Sequence, residues 1–130
     1  MMFNEANVLI VEDSATQAAE LQFLLENSGC TVWVARNGVE ALEILQYRIP
    51  TVIVSDIVMP KMDGYQLCHK IKQSDKTKQI PVILVTALAD PRDVVHGLAC
   101  GADNFIVKPY DERYLLSRIR YFLVNHELRE

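Results

Sequence analysis

The sequence has few cysteines: Cys30, Cys68 and Cys100 stand far apart among 130 residues, without a C-x-x-C pair. Neither a disulfide framework nor a zinc site is indicated, so we expect buried, reduced thiols in a cytoplasmic protein. The sequence also lacks a run of about 18 apolar residues, the length that a membrane-spanning helix needs. Met1–Asn7 contains no basic segment followed by an apolar stretch of signal-peptide length, and we therefore expect no contact with a membrane.

Basic residues are also few, because 13 Lys and Arg stand against 17 Asp and Glu, a formal net charge of -4. A protein that binds the phosphate backbone of nucleic acid needs a clustered excess of positive charge, so such a ligand is disfavoured. The length fits one domain, since most domains have about 100 to 150 residues. We expect a single domain over residues 1–130, which excludes a two-domain enzyme.

Five short apolar runs, rich in β-branched residues, recur along the chain and are separated by helical patterns. The runs are Val8–Val11, Val32–Ala35, Val52–Val54, Val82–Val85 and Phe105–Val107. Runs without polar alternation are typical of strands that are buried on both faces of a parallel sheet. Because connections between parallel strands are right-handed, the pattern predicts an α/β fold, a (βα)5 doubly wound five-stranded parallel sheet.

Residues that begin or end helices occur between these runs. Ser28-Gly29 is expected to end the first helix, Asn37 to cap the second and Asp63-Gly64 to precede the third. Asp90-Pro91 is expected to open a fourth helix, and Asp111 a fifth.

Polar residues follow four of the predicted strands, at the edge of the sheet where open parallel sheets bind ligands. They are Glu12, Asp13, Asp56, Thr86 and Lys108. Any strand ends where polar residues begin, but that does not explain three carboxylates, one hydroxyl and one ammonium. Gathered carboxylates repel one another, and Mg²⁺ with its oxygen ligands would relieve the repulsion. A carboxylate between Mg²⁺ and Lys108 would be a competent acceptor of a phosphoryl group, to which Thr86 would donate a hydrogen bond.

Four stretches make the chain resemble the receiver domains of response regulators in two-component signalling, the CheY-like family. They are Val8–Ser14, Ser55–Gly64, Val85–Ala87 and Gly101–Pro109. The resemblance covers residues 7–124 and implies a flavodoxin-like sheet with strand order 2-1-3-4-5. Residues 125–130 would then begin a linker to a C-terminal output module of the parent protein.

The resemblance implies that Asp56 accepts a phosphoryl group from a sensor histidine kinase or a phosphotransfer protein. Glu12, Asp13, Asp56 and the backbone carbonyl of Val58 would hold Mg²⁺. An open alternative for the acidic pair is capping of the first helix, by Asp13 or by the Ser14 that follows it. Recognition of the kinase would lie on the exposed first helix, around Gln17, Glu20 and Leu21.

Lys108 would bind a phosphoryl oxygen, and its peptide bond to Pro109 is expected to be cis. Thr86 and Phe105 resemble a switch pair, in which the hydroxyl moves to the phosphoryl group and the ring turns inward. For Phe105, simple packing in the core is the alternative. The switch would change the face formed by the fourth helix, the fifth strand and the fifth helix, and so control a downstream output or partner.

Two further expectations concern the phosphorylated state. Val58 and Leu88 stand where receivers line the route of the attacking water, and neither offers a side chain that orients it. We therefore expect slow self-dephosphorylation. On the output face, three arginines and one aspartate could form ion pairs across a homodimer, although a solvated helix face is an equal alternative. These residues are Arg113, Arg118, Arg120 and Asp103.

Two other functions use related chemistry or a related fold. A haloacid-dehalogenase-like aspartyl phosphatase would need a second Asp two residues after the nucleophile, where Val58 stands. A flavodoxin-like FMN-binding module must hold a phosphate in its first loop, which Glu12 and Asp13 would repel. The sequence therefore favours a phosphoacceptor switch over an enzyme with substrate turnover.

Overall fold

The computed structural model describes residues 6–87, 92, 95, 96 and 99–129, with side chains as far as Val124. The five strands are β1 (Asn7–Val11), β2 (Thr31–Ala35), β3 (Val52–Asp56), β4 (Val82–Thr86) and β5 (Asn104–Val107). All pairs are parallel, and the order is β2-β1-β3-β4-β5. The predicted fold and strand order are confirmed.

The helices are α1 (Ala15–Asn27), α2 (Gly38–Leu45), α3 (Gly64–Gln73) and α4 (Glu112–Arg129). Helix α4 is the fifth helix of the prediction, because the start predicted at Asp90-Pro91 lies outside the described residues. Within the described part of the chain, no helix is both long and apolar enough to cross a membrane.

The sheet is covered by helices on both faces, as its continuous apolar strands predict. Successive side chains of a strand point to opposite faces. Leu9 and Val11 thus belong to one core cluster, which includes side chains of α2 and α3. Val8 and Ile10 belong to a second cluster, with side chains of α1 and α4. The three cysteines are free and buried in these clusters, as expected.

The capping residues predicted for the starts of three helices are confirmed. Two of these helix starts, those of α1 and α3, lie near the carboxyl edge of the sheet. Ser14 caps α1 by accepting a hydrogen bond from Gln17 N, and Asn37 caps α2. Asp63 and Gln66 form a reciprocal capping box at the start of α3. Helix α1 begins soon after β1, and the start of α3 returns to the end of β3, where Gly64 N donates to Ile57 O.

Candidate metal and phosphoryl site

Three carboxylates converge where β1 and β3 end. The two strands are neighbours in the sheet, with Val11 paired to Ser55, so the next residues along each strand, Glu12 and Asp56, lie close together. One oxygen from each of Glu12, Asp13 and Asp56 lies within 4.8 Å of the others. Because Ser14 caps α1, the carboxylate of Asp13 is available to a metal ion. The donor set is all oxygen and suits a hard divalent cation such as Mg²⁺.

Lys108 brings a positive charge to the same place. It follows β5, and its backbone N–H donates to the carbonyl of Thr86 at 2.7 Å. Its Nζ lies 3.3 Å from Glu12 Oε1 and 3.3 Å from Asp56 Oδ2. The predicted cis bond between Lys108 and Pro109 is present. The geometry thus joins residues that are 96 positions apart in sequence.

The charges in this pocket are strongly interdependent. Burial is the main cause that raises the pKa of Glu12, and the nearby charge of Asp56 raises it further against the opposing effects of the Ser14 N–H and Lys108. For Lys108, burial lowers the pKa, but the charges of Asp56 and Glu12 outweigh it, so the net shift is upward. The ammonium is therefore charged at neutral pH. With all three carboxylates deprotonated, the single ammonium would leave two negative charges, which a divalent cation would compensate.

The carboxylate of Asp56 is held on both sides. Its Oδ1 accepts a hydrogen bond of 2.7 Å from the Ile57 N–H, while its Oδ2 faces Lys108. The start of α3 presses against the same backbone, since Gly64 N donates to Ile57 O at 2.8 Å. A Cβ built on Gly64 would lie 2.4 Å from Asp56 O, so a residue without a side chain is required here.

The remaining predicted site residues differ in burial and in their surroundings. Thr86 ends β4 and is buried, at the same edge of the sheet. Phe105 is half-buried and packs against the core cluster under α2 and α3, so its switch motion stays a prediction. Val58 lies two residues beyond Asp56 and is 61% exposed. Leu88 lies outside the described residues.

The site contains two partners that the sequence reasoning missed. Gln17 was assigned to kinase recognition alone, yet its Oε1 accepts a hydrogen bond from Lys108 Nζ. The backbone N–H of Ile57 was not considered as a donor to Asp56. The available signal for Gln17 was its place in the first turn of the helix that follows the acidic pair, four residues after Asp13.

Strand order, acidic cluster and lysine together define a doubly wound α/β domain of the phosphoacceptor type. The family model for the response regulator receiver domain matches residues 8–120, and the chain belongs to this family. It is 39% identical over 123 residues to a probable transcriptional regulator, ycf27, of Cyanophora paradoxa, covering 95% of this chain and 50% of that protein. The chain thus spans half the length of that relative.

Solved structures agree with this assignment. The signal receiver domain of a signal transduction histidine kinase from Syntrophus aciditrophicus is 48% identical with a TM-score of 0.88, covering 92% of this chain and 91% of that one. Chemotaxis protein CheY4 of Vibrio cholerae is 30% identical with a TM-score of 0.85, covering 94% and 99%. The chain is therefore the receiver domain of a two-component signalling switch. Neither a phosphatase nor an FMN-binding module finds support.

Proposed function

We propose that Asp56 accepts the phosphoryl group, with Mg²⁺ held by Glu12, Asp13, Asp56 and the backbone carbonyl of Val58. The observation that carries this proposal is the convergence of three carboxylate oxygens within 4.8 Å, with the Lys108 ammonium 3.3 Å from two of the side chains. The family implies a histidine kinase as partner. We propose a sensor histidine kinase or a phosphotransfer protein as the direct donor.

In the proposed reaction, a carboxylate oxygen of Asp56 attacks the phosphorus of a phosphohistidine. The new oxygen–phosphorus bond forms as the phosphorus–nitrogen bond breaks, and the imidazole nitrogen keeps the electron pair. Lys108 offsets negative charge on the phosphoryl oxygens, and the hydroxyl of Thr86 donates to one of them. Bound Mg²⁺ would supply further charge neutralisation at those oxygens. The chain promotes its own modification and turns over no separate substrate.

The phosphoryl group then changes the surface near β5 through Thr86 and Phe105. The affected face comprises β5, α4 and the helix predicted to begin at Asp90-Pro91. This face controls a downstream partner or output module. The names of two relatives, a transcriptional regulator and a histidine kinase, illustrate modules that accompany such domains. We also propose a cytoplasmic location, where buried thiols stay reduced.

We also propose a homodimer through this face, with fewer of the charged residues available for ion pairs between subunits than the sequence offered. Arg113 and Arg120 are exposed on α4, whereas the guanidinium of Arg118 stacks over the Tyr121 ring at 4.7 Å. Asp103 pairs within the chain and has less freedom to bridge subunits. Light scattering over a concentration series, with and without beryllofluoride as a phosphoryl mimic, tests it. Dimers only with the mimic support the proposal, and monomers in both conditions contradict it.

The proposed chemistry is tested by incubating the protein with acetyl phosphate and Mg²⁺ and reading the intact mass. We expect one added phosphoryl group on the wild type and none on Asp56→Ala. Asp75→Ala is the matched control, because that carboxylate is exposed and pairs only with the neighbouring Lys78 among the described contacts. Equal addition to Asp56→Ala and the wild type would contradict the assignment.

A further inference from the structure

We infer that Gln17 is a positioning residue for phosphoryl acceptance, because its side-chain carbonyl holds the Lys108 ammonium at the mouth of the acidic pocket. This role presupposes the proposed function of Asp56 and adds a residue outside the acidic cluster to its machinery. It acts through Lys108 and requires no contact between Gln17 and the phosphoryl group.

The distances around the ammonium carry this inference. Lys108 Nζ lies 2.5 Å from Gln17 Oε1 but 3.3 Å from Glu12 Oε1 and 3.3 Å from Asp56 Oδ2. Two carboxylates attract an ammonium more strongly than a neutral amide does, so charge alone would place it nearest to them. The amide contact is nevertheless the shortest of the three. Gln17 therefore draws the ammonium away from the two acids.

Gln17 is well placed to hold this position, because its backbone is fixed. Its N–H donates to the Oγ of Ser14, the N-cap of α1, at 3.3 Å. Its side chain borders a cavity of about 500 Å³ that is also lined by Asp56, Lys108 and Glu20. A phosphoryl donor that reaches Asp56 through this cavity passes the ammonium that Gln17 holds.

The position of the ammonium matters because Asp56 must use a carboxylate oxygen as the nucleophile. Asp56 Oδ2 faces Lys108, and a closer ion pair would occupy its lone pairs and lower its nucleophilicity. Without the amide, we expect the ammonium to settle between Glu12 and Asp56. Phosphoryl transfer would then require its withdrawal. With Gln17 present, the charge already stands where phosphoryl oxygens arrive, which reduces reorganisation during the reaction.

The first experiment measures the rate of phosphoryl acceptance from acetyl phosphate and Mg²⁺ by intact mass. Gln17→Met keeps the side-chain length but removes the acceptor, and we expect it to slow acceptance by about threefold to tenfold, the scale of one exposed charge-assisted hydrogen bond. Gln22→Met is the control on the same helix, because Gln22 donates to Glu26 at 3.3 Å. We expect the control to react at the wild-type rate, and a Gln17→Met rate equal to that of the control overturns the inference.

The second experiment asks whether Gln17 acts through Lys108. In a Lys108→Ala background, Gln17→Met should have no further effect on the rate, whereas an equal slowing there would indicate a structural role and overturn the inference. Nitrogen NMR of the Lys108 ammonium gives a readout independent of activity. We expect the chemical shift of the ammonium nitrogen to change in Gln17→Met and to stay at its wild-type value in Gln22→Met. A wild-type chemical shift in both variants contradicts the contact between Gln17 and Lys108. A wild type that takes no phosphoryl group would instead refute the proposed function.

Discussion

Substituting Gly64 by alanine tests the contact between the start of α3 and the backbone that carries Asp56. An ideal Cβ at Gly64 would lie 2.4 Å from Asp56 O and 2.8 Å from the Cα of Ile57. Backbone atoms cannot rotate away as a flexible side chain can. The clash must therefore move α3 or the end of β3, and either movement disturbs the 2.8 Å hydrogen bond from Gly64 N to Ile57 O.

The expected cost follows from overpacking in a well-packed region. Such substitutions destabilise a protein by about 1 to 3 kcal/mol, and the better helix propensity of alanine offsets at most about 1 kcal/mol. We expect a net loss of about 2 kcal/mol in the free energy of unfolding. With an unfolding entropy of about 2.1 cal/mol/K per residue, the melting temperature would fall by about 7 °C.

Gly38→Ala is the matched control for this prediction. Gly38 is also buried and is the first residue of α2, but its Cβ would meet the side chain of Met62, with Sδ at 2.8 Å. A rotamer change can move the Sδ and Cγ of Met62 away, and only its Cβ, at 3.0 Å, then requires a small shift. We therefore expect a stability within about 1 kcal/mol of the wild type. Urea unfolding followed by circular dichroism compares the three proteins. A Gly64→Ala protein as stable as Gly38→Ala would refute the close approach of α3 to Asp56.

Four further predictions follow from other contacts. Asp103→Ala removes the acceptor of the Val82 N–H and the ion pair with Lys72, each at 2.8 Å, and should lower the free energy of unfolding in urea by about 1 to 3 kcal/mol. Lys108→Met removes the positive charge beside two carboxylates, so calorimetry should show Mg²⁺ binding about threefold to tenfold tighter while phosphoryl acceptance slows. Cys30, whose thiol pKa burial raises to about 11, should react slowly with Ellman's reagent at about pH 8 until urea unfolds the protein. The contribution of the protonated Cys30 thiol to the free energy of unfolding is complete below its ordinary pKa of 9.0 and is lost as the pH rises through about 11. The phosphorylated domain should keep its phosphoryl group for minutes to hours, because the apolar side chain of Val58 cannot orient water.

Each of these predictions has a result that would contradict it. Asp75→Ala is the control for Asp103, since Asp75 is 95% exposed and its ion pair should contribute little, so equal losses would contradict the Asp103 contacts. Weaker Mg²⁺ binding by Lys108→Met would mean that the ammonium does not compete with the cation. Rapid modification of Cys30 in the native state would contradict its burial. A phosphoryl lifetime of seconds would refute the role given to Val58.

The fold was largely predictable from the sequence because buried parallel strands leave a simple apolar signal. All five runs lie within the observed strands, and the predicted caps Asn37 and Asp63 are in place. Strand β3 was predicted to end at Val54, whereas it continues through Ser55 to Asp56. Apolarity gave no signal for these polar residues, but backbone pairing of Asp56 with Val85 on β4 extends the strand.

The candidate site was predictable in its residues but less so in their contacts. Because the carboxyl ends of parallel strands meet at one edge of the sheet, the strand pattern alone predicted that Glu12, Asp56 and Lys108 lie close together. The contact of Gln17 with Lys108 depends on how the first turn of α1 and the segment after β5 lie against each other at that edge. For Asp103 the sequence left open an ion pair across subunits or a solvated surface, and it did not indicate the partner within the chain, Lys72, which lies 31 positions earlier on α3. Such side-chain pairs between distant elements leave no periodic signal in the sequence.

The central claim is that Asp56 carries the phosphoryl group, and chemical trapping locates that group directly. The protein is incubated with acetyl phosphate and Mg²⁺, reduced with borohydride, which converts an aspartyl phosphate to homoserine, and mapped by peptide mass spectrometry. We expect homoserine at position 56, and none when the donor or Mg²⁺ is omitted. Homoserine at another carboxylate, with position 56 unchanged in fully phosphorylated protein, would contradict the claim.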